Sequence, residues 1–110
     1  MNSPQQQFQA FLELQRAEYR RTLPDKLAHV QALWLAAETG TGPADLAGLE
    51  RLAHTLAGTA GTLGLREVGL AARALEVLLA DTGQGSAVLT SGQRAAISRA
   101  VAALRDSPHA

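Results

Sequence analysis

The chain holds three histidines and no cysteine, and only one histidine stands where it could react with another molecule. Read as a helix at about 100° per residue, Leu46, Leu49, Leu52, Ala53, Leu56, Ala60 and Leu63 gather into one apolar stripe. His54 points roughly 150° away from the centre of that stripe, toward water. Gly58 and Gly61 follow it in the same segment, and each glycine inside a helix costs about 1 kcal/mol relative to alanine. Bare backbone beside an exposed imidazole implies room for a large partner. The chemistry on offer is nucleophilic, because an imidazole of ordinary pKa, about 6.5, is mostly neutral near pH 7. Metal binding is not expected. His29 lies beside another apolar stripe and His109 in the C-terminal tail, and no His-x-x-x-His or Glu-x-x-His pair occurs.

The elements that must position His54 follow from composition. A length of 110 residues, 46% of them apolar, suits one domain with one core. Aromatics make up only 4%, while alanine and leucine dominate, so helix is favoured over sheet. Ten basic residues balance ten acidic ones, which gives no bulk electrostatic footprint for nucleic acid. The absence of cysteine excludes disulfides and thiolate zinc sites and fits a reducing compartment. The opening residues have neither a basic nor an apolar signal region, and the apolar run from Val68 to Ala80 is broken by Arg73 and Glu76. Neither a signal peptide nor membrane insertion is expected, and the expected location is cytoplasmic.

In chain order, residues 1–7 read as a polar tail, and Phe8, Phe11, Leu12 and Tyr19 as a short first helix reaching about Arg20. Thr22-Leu23-Pro24-Asp25 then reads as a helix start, with proline in the first turn. Leu23, Leu27, Val30, Leu33, Trp34 and Ala37 form the stripe of that second helix, and residues 39–43 stop it. A third helix is expected from about Ala44 to Leu63, with Gly64 as a left-handed cap. A fourth, marked by Val68, Ala71, Ala74, Leu75, Leu78 and Leu79, ends near Asp81, and the short link makes the two an antiparallel hairpin. Residues 82–89 read as a loop. Thr90 and Gln93 fit a capping box for a last helix carrying Ile97, Val101 and Leu104, and residues 107–110 read as a frayed end. The expected fold is all-α, an antiparallel (up-down) four-helix bundle over residues 8–106 with a short additional N-terminal helix.

His54, Gly58 and Gly64, in Ala53-His54-Thr55-Leu56-Ala57-Gly58-Thr59-Ala60-Gly61-Thr62-Leu63-Gly64, resemble the His-x-x-x-Gly-x-x-x-x-x-Gly signature of histidine phosphotransfer (HPt) domains. The segment from Ala71 to Leu75-Glu76 is similar to the "A-x-x-L-E" stretch of that family's next helix. Phe11 to Trp34, with Tyr19, Leu23-Pro24 and Leu27, is similar to the family's leader. The resemblance implies a bundle of bacterial two-component phosphorelays whose exposed histidine takes a phosphoryl group from a receiver-domain aspartate and passes it to another receiver. His54 is by this likeness the phosphoacceptor. The implied partners are response-regulator receiver domains and a sensor (hybrid) histidine kinase. The domain needs no cofactor of its own, since the receiver would bring magnesium and most of the charge stabilisation.

Many family members carry lysine three residues after the histidine, where this chain has Ala57. Arg51, one turn before His54 on the same side, has two readings of equal weight, a substitute cation or a solvated surface charge paired with nearby acids. Partner contact is expected on the His54 face through Glu50, Arg51, Thr55, Ala57, Gly58, Gly61 and Thr62. Small side chains there suit transient docking, and a monomer is expected. Two other readings compete. One is a degenerate helical domain that docks a receiver or kinase without phosphate, favoured only by Ala57. The other is a helix-turn-helix around Gly64, whose recognition helix would offer only Arg66 and Arg73 beside Glu67 and Glu76, a poor DNA reader.

Overall fold

The structure, a computed structural model, describes residues 3–40, 46–82 and 89–108. Those residues form four helices: α1 (Pro4–Thr39), α2 (Leu46–Thr62), α3 (Arg66–Ala80) and α4 (Ser91–Arg105). Helix α2 packs on α3, α3 on α4, and α1 on both α4 and α2. Each helix therefore has two neighbours and the apolar stripes meet in the middle. Leu23, Leu27, Val30 and Trp34 enter the core from α1, Leu49, Ala53, Leu56 and Ala60 from α2, Val68, Ala72, Leu75 and Leu79 from α3, and Ile97, Val101 and Leu104 from α4. These fall at the three- and four-residue spacing of one helix face. In α3 the buried line runs through Ala72, with Ala71 half-buried and Ala74 exposed, a small rotation from the expected stripe.

Two expectations for the N-terminal region are overturned. Ser3 Oγ accepts a hydrogen bond from the Gln6 N–H at 3.1 Å, and Gln6 Oε1 accepts from the Ser3 N–H at 2.8 Å. This capping box starts α1 at Pro4, so most of the expected polar tail is helical. Nor is there a separate short helix, because α1 runs unbroken through Pro24. Proline removes one helical hydrogen bond, and Pro24 stands on the exposed side of α1. Leu23 and Leu27 on either side of it are buried, and their packing carries the helix through. At 36 residues, α1 is about 54 Å long, close to the molecule's 59 Å longest dimension. Its first turns stand beyond the shorter helices and leave Phe8, Phe11 and Leu14 exposed.

Helix ends are closed by local chemistry. Gly40 ends α1 in the left-handed region at φ 67°; the expected start of the next helix at Ala44 lies outside the described residues. At the end of α2, Gly64 has φ 80°, as its cap position demands. Leu65 N–H donates to the Ala60 carbonyl at 2.8 Å and Gly64 N–H to the Gly61 carbonyl at 3.2 Å, which is a Schellman motif. Arg16 of α1 adds its Nε–H to the Leu63 carbonyl at 2.6 Å, placing a cation at the negative end of α2. Thr90 and Gln93 form the expected capping box of α4. Ser107 is not frayed: it is buried and its hydroxyl donates to the Leu104 carbonyl at 2.6 Å. Residues 83–88 of the expected loop and His109 lie outside the described residues. Among the described residues, no helix is long and apolar enough to cross a membrane.

The unbroken course of α1 is testable at Pro24. A proline inside a helix costs about 3 kcal/mol relative to alanine, whereas one in a first turn costs almost nothing. Pro24→Ala is expected to raise the unfolding free energy in urea by about 1–3 kcal/mol. An unchanged midpoint would mean that the helix restarts at Pro24.

Candidate functional site

His54 lies mid-way along α2 on the side opposite the buried Leu49, Ala53, Leu56 and Ala60. Its side chain is 72% exposed, while that of Glu76, reaching across from α3, is only 16% exposed. The imidazole Nδ1 and Glu76 Oε2 form a hydrogen bond. An ionised carboxylate can only accept, so Nδ1 carries the proton and the lone pair resides on Nε2. Glu76 thereby fixes both the ring's orientation and its tautomer. Arg73, one turn earlier on α3, brings Nη1 to 3.6 Å from the other carboxylate oxygen, Oε1. That oxygen is buried and has no hydrogen-bond partner.

The helices that carry these groups meet through glycine. A Cβ added at Gly69 would lie 3.2 Å from the Gly61 nitrogen and 3.4 Å from its Cα, so α3 rests directly on the α2 backbone. It is Gly69 that must be bare here, and Gly61 contributes only backbone atoms to the contact. In contrast, a Cβ at Gly58 or at Gly61 would meet nothing within 4 Å. No packing within the molecule requires those two positions to be bare. Their effect is on the outside, where an open depression of about 400 Å³ extends along α2 and α3. His54, Ala57, Gly58, Gly61 and Gly64 form its α2 side, and Arg66, Gly69, Leu70, Arg73 and Glu76 its α3 side.

Of the residues singled out from the sequence, His54, Ala57, Gly58 and Gly61 come together in this depression. Arg51 and Thr55 are exposed on α2 but do not line it. Glu50 is half-buried and also outside it. Thr62 turns its hydroxyl back to the Gly58 carbonyl at 2.9 Å. The cations that line the depression come instead from α3, as Arg66 and Arg73. The sequence reading gave Glu76 no part in the site: it appeared there as a charge in α3 and as a letter of the family motif. Its partnership with His54, 22 residues away, depends on the register between two helices. The signal that could have found it was the Gly64 turn, from which an antiparallel register can be counted outward. That register also disposes of the helix-turn-helix, since α3 follows α2 from Gly61 and Gly69 to His54 and Glu76 instead of crossing it.

No group of three or more potential metal-ligating side chains occurs among the described residues. The arrangement offers one outward nucleophilic nitrogen, a carboxylate to hold the ring and an open approach. The sequence matches the family model for the Hpt domain over residues 16–107. No curated protein and no solved structure gives a match.

The two classes of glycine should respond oppositely to alanine. Gly58→Ala adds a methyl group to open space and is expected to stabilise the fold by up to about 1 kcal/mol. Gly69→Ala drives a methyl group against backbone and is expected to destabilise it by about 1–3 kcal/mol. Urea unfolding of both variants checks this; equal effects would contradict the assignment.

Proposed function

Because the chain belongs to the Hpt domain family, we propose that it is a phosphocarrier in which His54 relays a phosphoryl group between receiver-domain aspartates. The observation that carries this reading is the exposed His54 ring held at Nδ1 by Glu76. The Nε2 lone pair attacks the phosphorus of an aspartyl phosphate. The N–P bond forms as the P–O bond breaks, and the aspartate leaves as a carboxylate. The ring retains its Nδ1 proton and becomes positive, and Glu76 balances that charge. Transfer onward reverses these steps at another receiver. The magnesium ion is expected on the receiver, so this chain contributes the acceptor and the docking surface.

Bare backbone at Gly58 and Gly61 supports the same reading, because the receiver must bring its aspartate to within bonding distance of the ring. The depression suits a weak encounter, in keeping with a monomer that meets receivers and a sensor (hybrid) histidine kinase in turn. We infer an up-down course for the four helices and a cytoplasmic setting. The alternative, a docking domain without phosphate chemistry, rests on the lack of a cation at Ala57. It gives no reason for a carboxylate to hold an exposed imidazole.

Incubation with a receiver domain phosphorylated on its aspartate tests the proposal. The chain is expected to take up one acid-labile, base-stable label, and His54→Gln to take up none. Equal labelling of the two would show that His54 is not the acceptor. Glu76→Gln, which keeps the shape but not the charge, is expected to slow uptake roughly tenfold by removing one charge-assisted hydrogen bond. An unchanged rate would remove Glu76 from the mechanism.

A further inference from the structure

A phosphoryl group on His54 would meet a local difficulty. It carries nearly two negative charges on Nε2, across a ring whose single positive charge already faces Glu76 at Nδ1, above a floor made largely of glycine, alanine and Leu70. One ring charge does not balance the phosphoryl oxygens and Glu76 together, so a further cation beside them would be stabilising. Among the described residues, Arg66 and Arg73 are the cations that line the depression.

We propose that Arg73 is the side chain that binds the phosphoryl oxygens on His54; the proposal rests on the phosphotransfer reading. The register of the two helices supports it first. Gly69 lies on Gly61 and Glu76 on His54, so Arg73, one turn before Glu76, stands level with Ala57, one turn after His54. A cation absent from α2 is thus supplied from α3 at the same height. Second, Arg73 already stands beside the carboxylate that holds the ring, with Nη1 3.6 Å from Glu76 Oε1. That separation holds an ion pair but exceeds a hydrogen bond, which leaves the planar N–H fork free to grip two phosphoryl oxygens. Third, its side chain is 67% exposed and can turn toward the ring without disturbing the core. Arg66, seven residues earlier on the same face, lies about 10 Å farther along α3, near the Gly64 end. Arg51 lies outside the depression.

The step keeps its balance with Arg73 included. The guanidinium forms no bond to phosphorus and gives up no proton; it accompanies the oxygens while the N–P bond forms and the P–O bond to aspartate breaks. The test compares the wild-type chain with Arg73→Gln, Arg73→Lys, Arg66→Gln and Arg51→Gln, each incubated with the same phosphorylated receiver domain. Arg73→Gln is expected to slow uptake roughly tenfold, Arg73→Lys to recover most of it, and the other two to slow it less than Arg73→Gln does. The thermal midpoint of Arg73→Gln should match wild type. So should the His54 ring 15N shifts of its unphosphorylated form, because an effect routed through Glu76 would move them. The proposal is overturned if Arg73→Gln keeps the wild-type rate, if the loss follows Arg66 or Arg51, or if the ring shifts change. No label on the wild-type chain would instead overturn the phosphotransfer reading beneath it, so the two failures are distinguishable.

Discussion

The contact on which the site depends is the one between the backbones of α2 and α3, where Gly69 rests against Gly61. A side chain at Gly69 would meet that backbone and hold the two helices farther apart. At this approach, the hairpin closed by the Schellman turn at Gly64 has a defined register, and a carboxylate two turns beyond Gly69 arrives beside an imidazole two turns before Gly61. Arg16 secures the same turn from α1 by capping the Leu63 carbonyl. The His54–Glu76 geometry is thus set by a packing contact about 10 Å along the helices from the ring.

Helical periodicity separates what the protein needs for folding from what it presents to others. Leu49, Ala53, Leu56 and Ala60 commit one face of α2 to the core, and apolar burial there stabilises the helix by roughly 25 cal/mol for each Å² removed from water. The opposite face has no such duty. It can carry an exposed histidine and glycines that weaken an isolated helix, because the buried face keeps the helix formed. The same logic applies to Pro24, which α1 accepts on its solvent side between buried Leu23 and Leu27. In both places a local rule is broken where tertiary packing outweighs it.

Much of this was legible in the sequence where the signal is local. The outward direction of His54 followed from periodicity, the left-handed Gly64 from its place after the last apolar residue, and the α4 capping box from Thr90 and Gln93. Local signals also misled. Leu23-Pro24-Asp25 resembles a helix start, and only the burial of Leu23 and Leu27 tells that the chain passes through. Ser3 and Gln6 make a reciprocal cap inside a stretch too polar to stand out. The link from Glu76 to His54, and the placement of Arg73 in preference to Arg51, are tertiary facts. They depend on how far apart two helices lie and in which register, and no spacing within either helix contains that information.

The central claim is that Glu76 holds the Nδ1 side of His54 and leaves Nε2 to react. The most direct measurement is 1H–15N and 31P spectroscopy on the phosphorylated, ring-labelled protein, which identifies the nitrogen bonded to phosphorus. The account predicts phosphorus on Nε2 with the proton retained on Nδ1. Phosphorus on Nδ1, or on a residue other than His54, would contradict it.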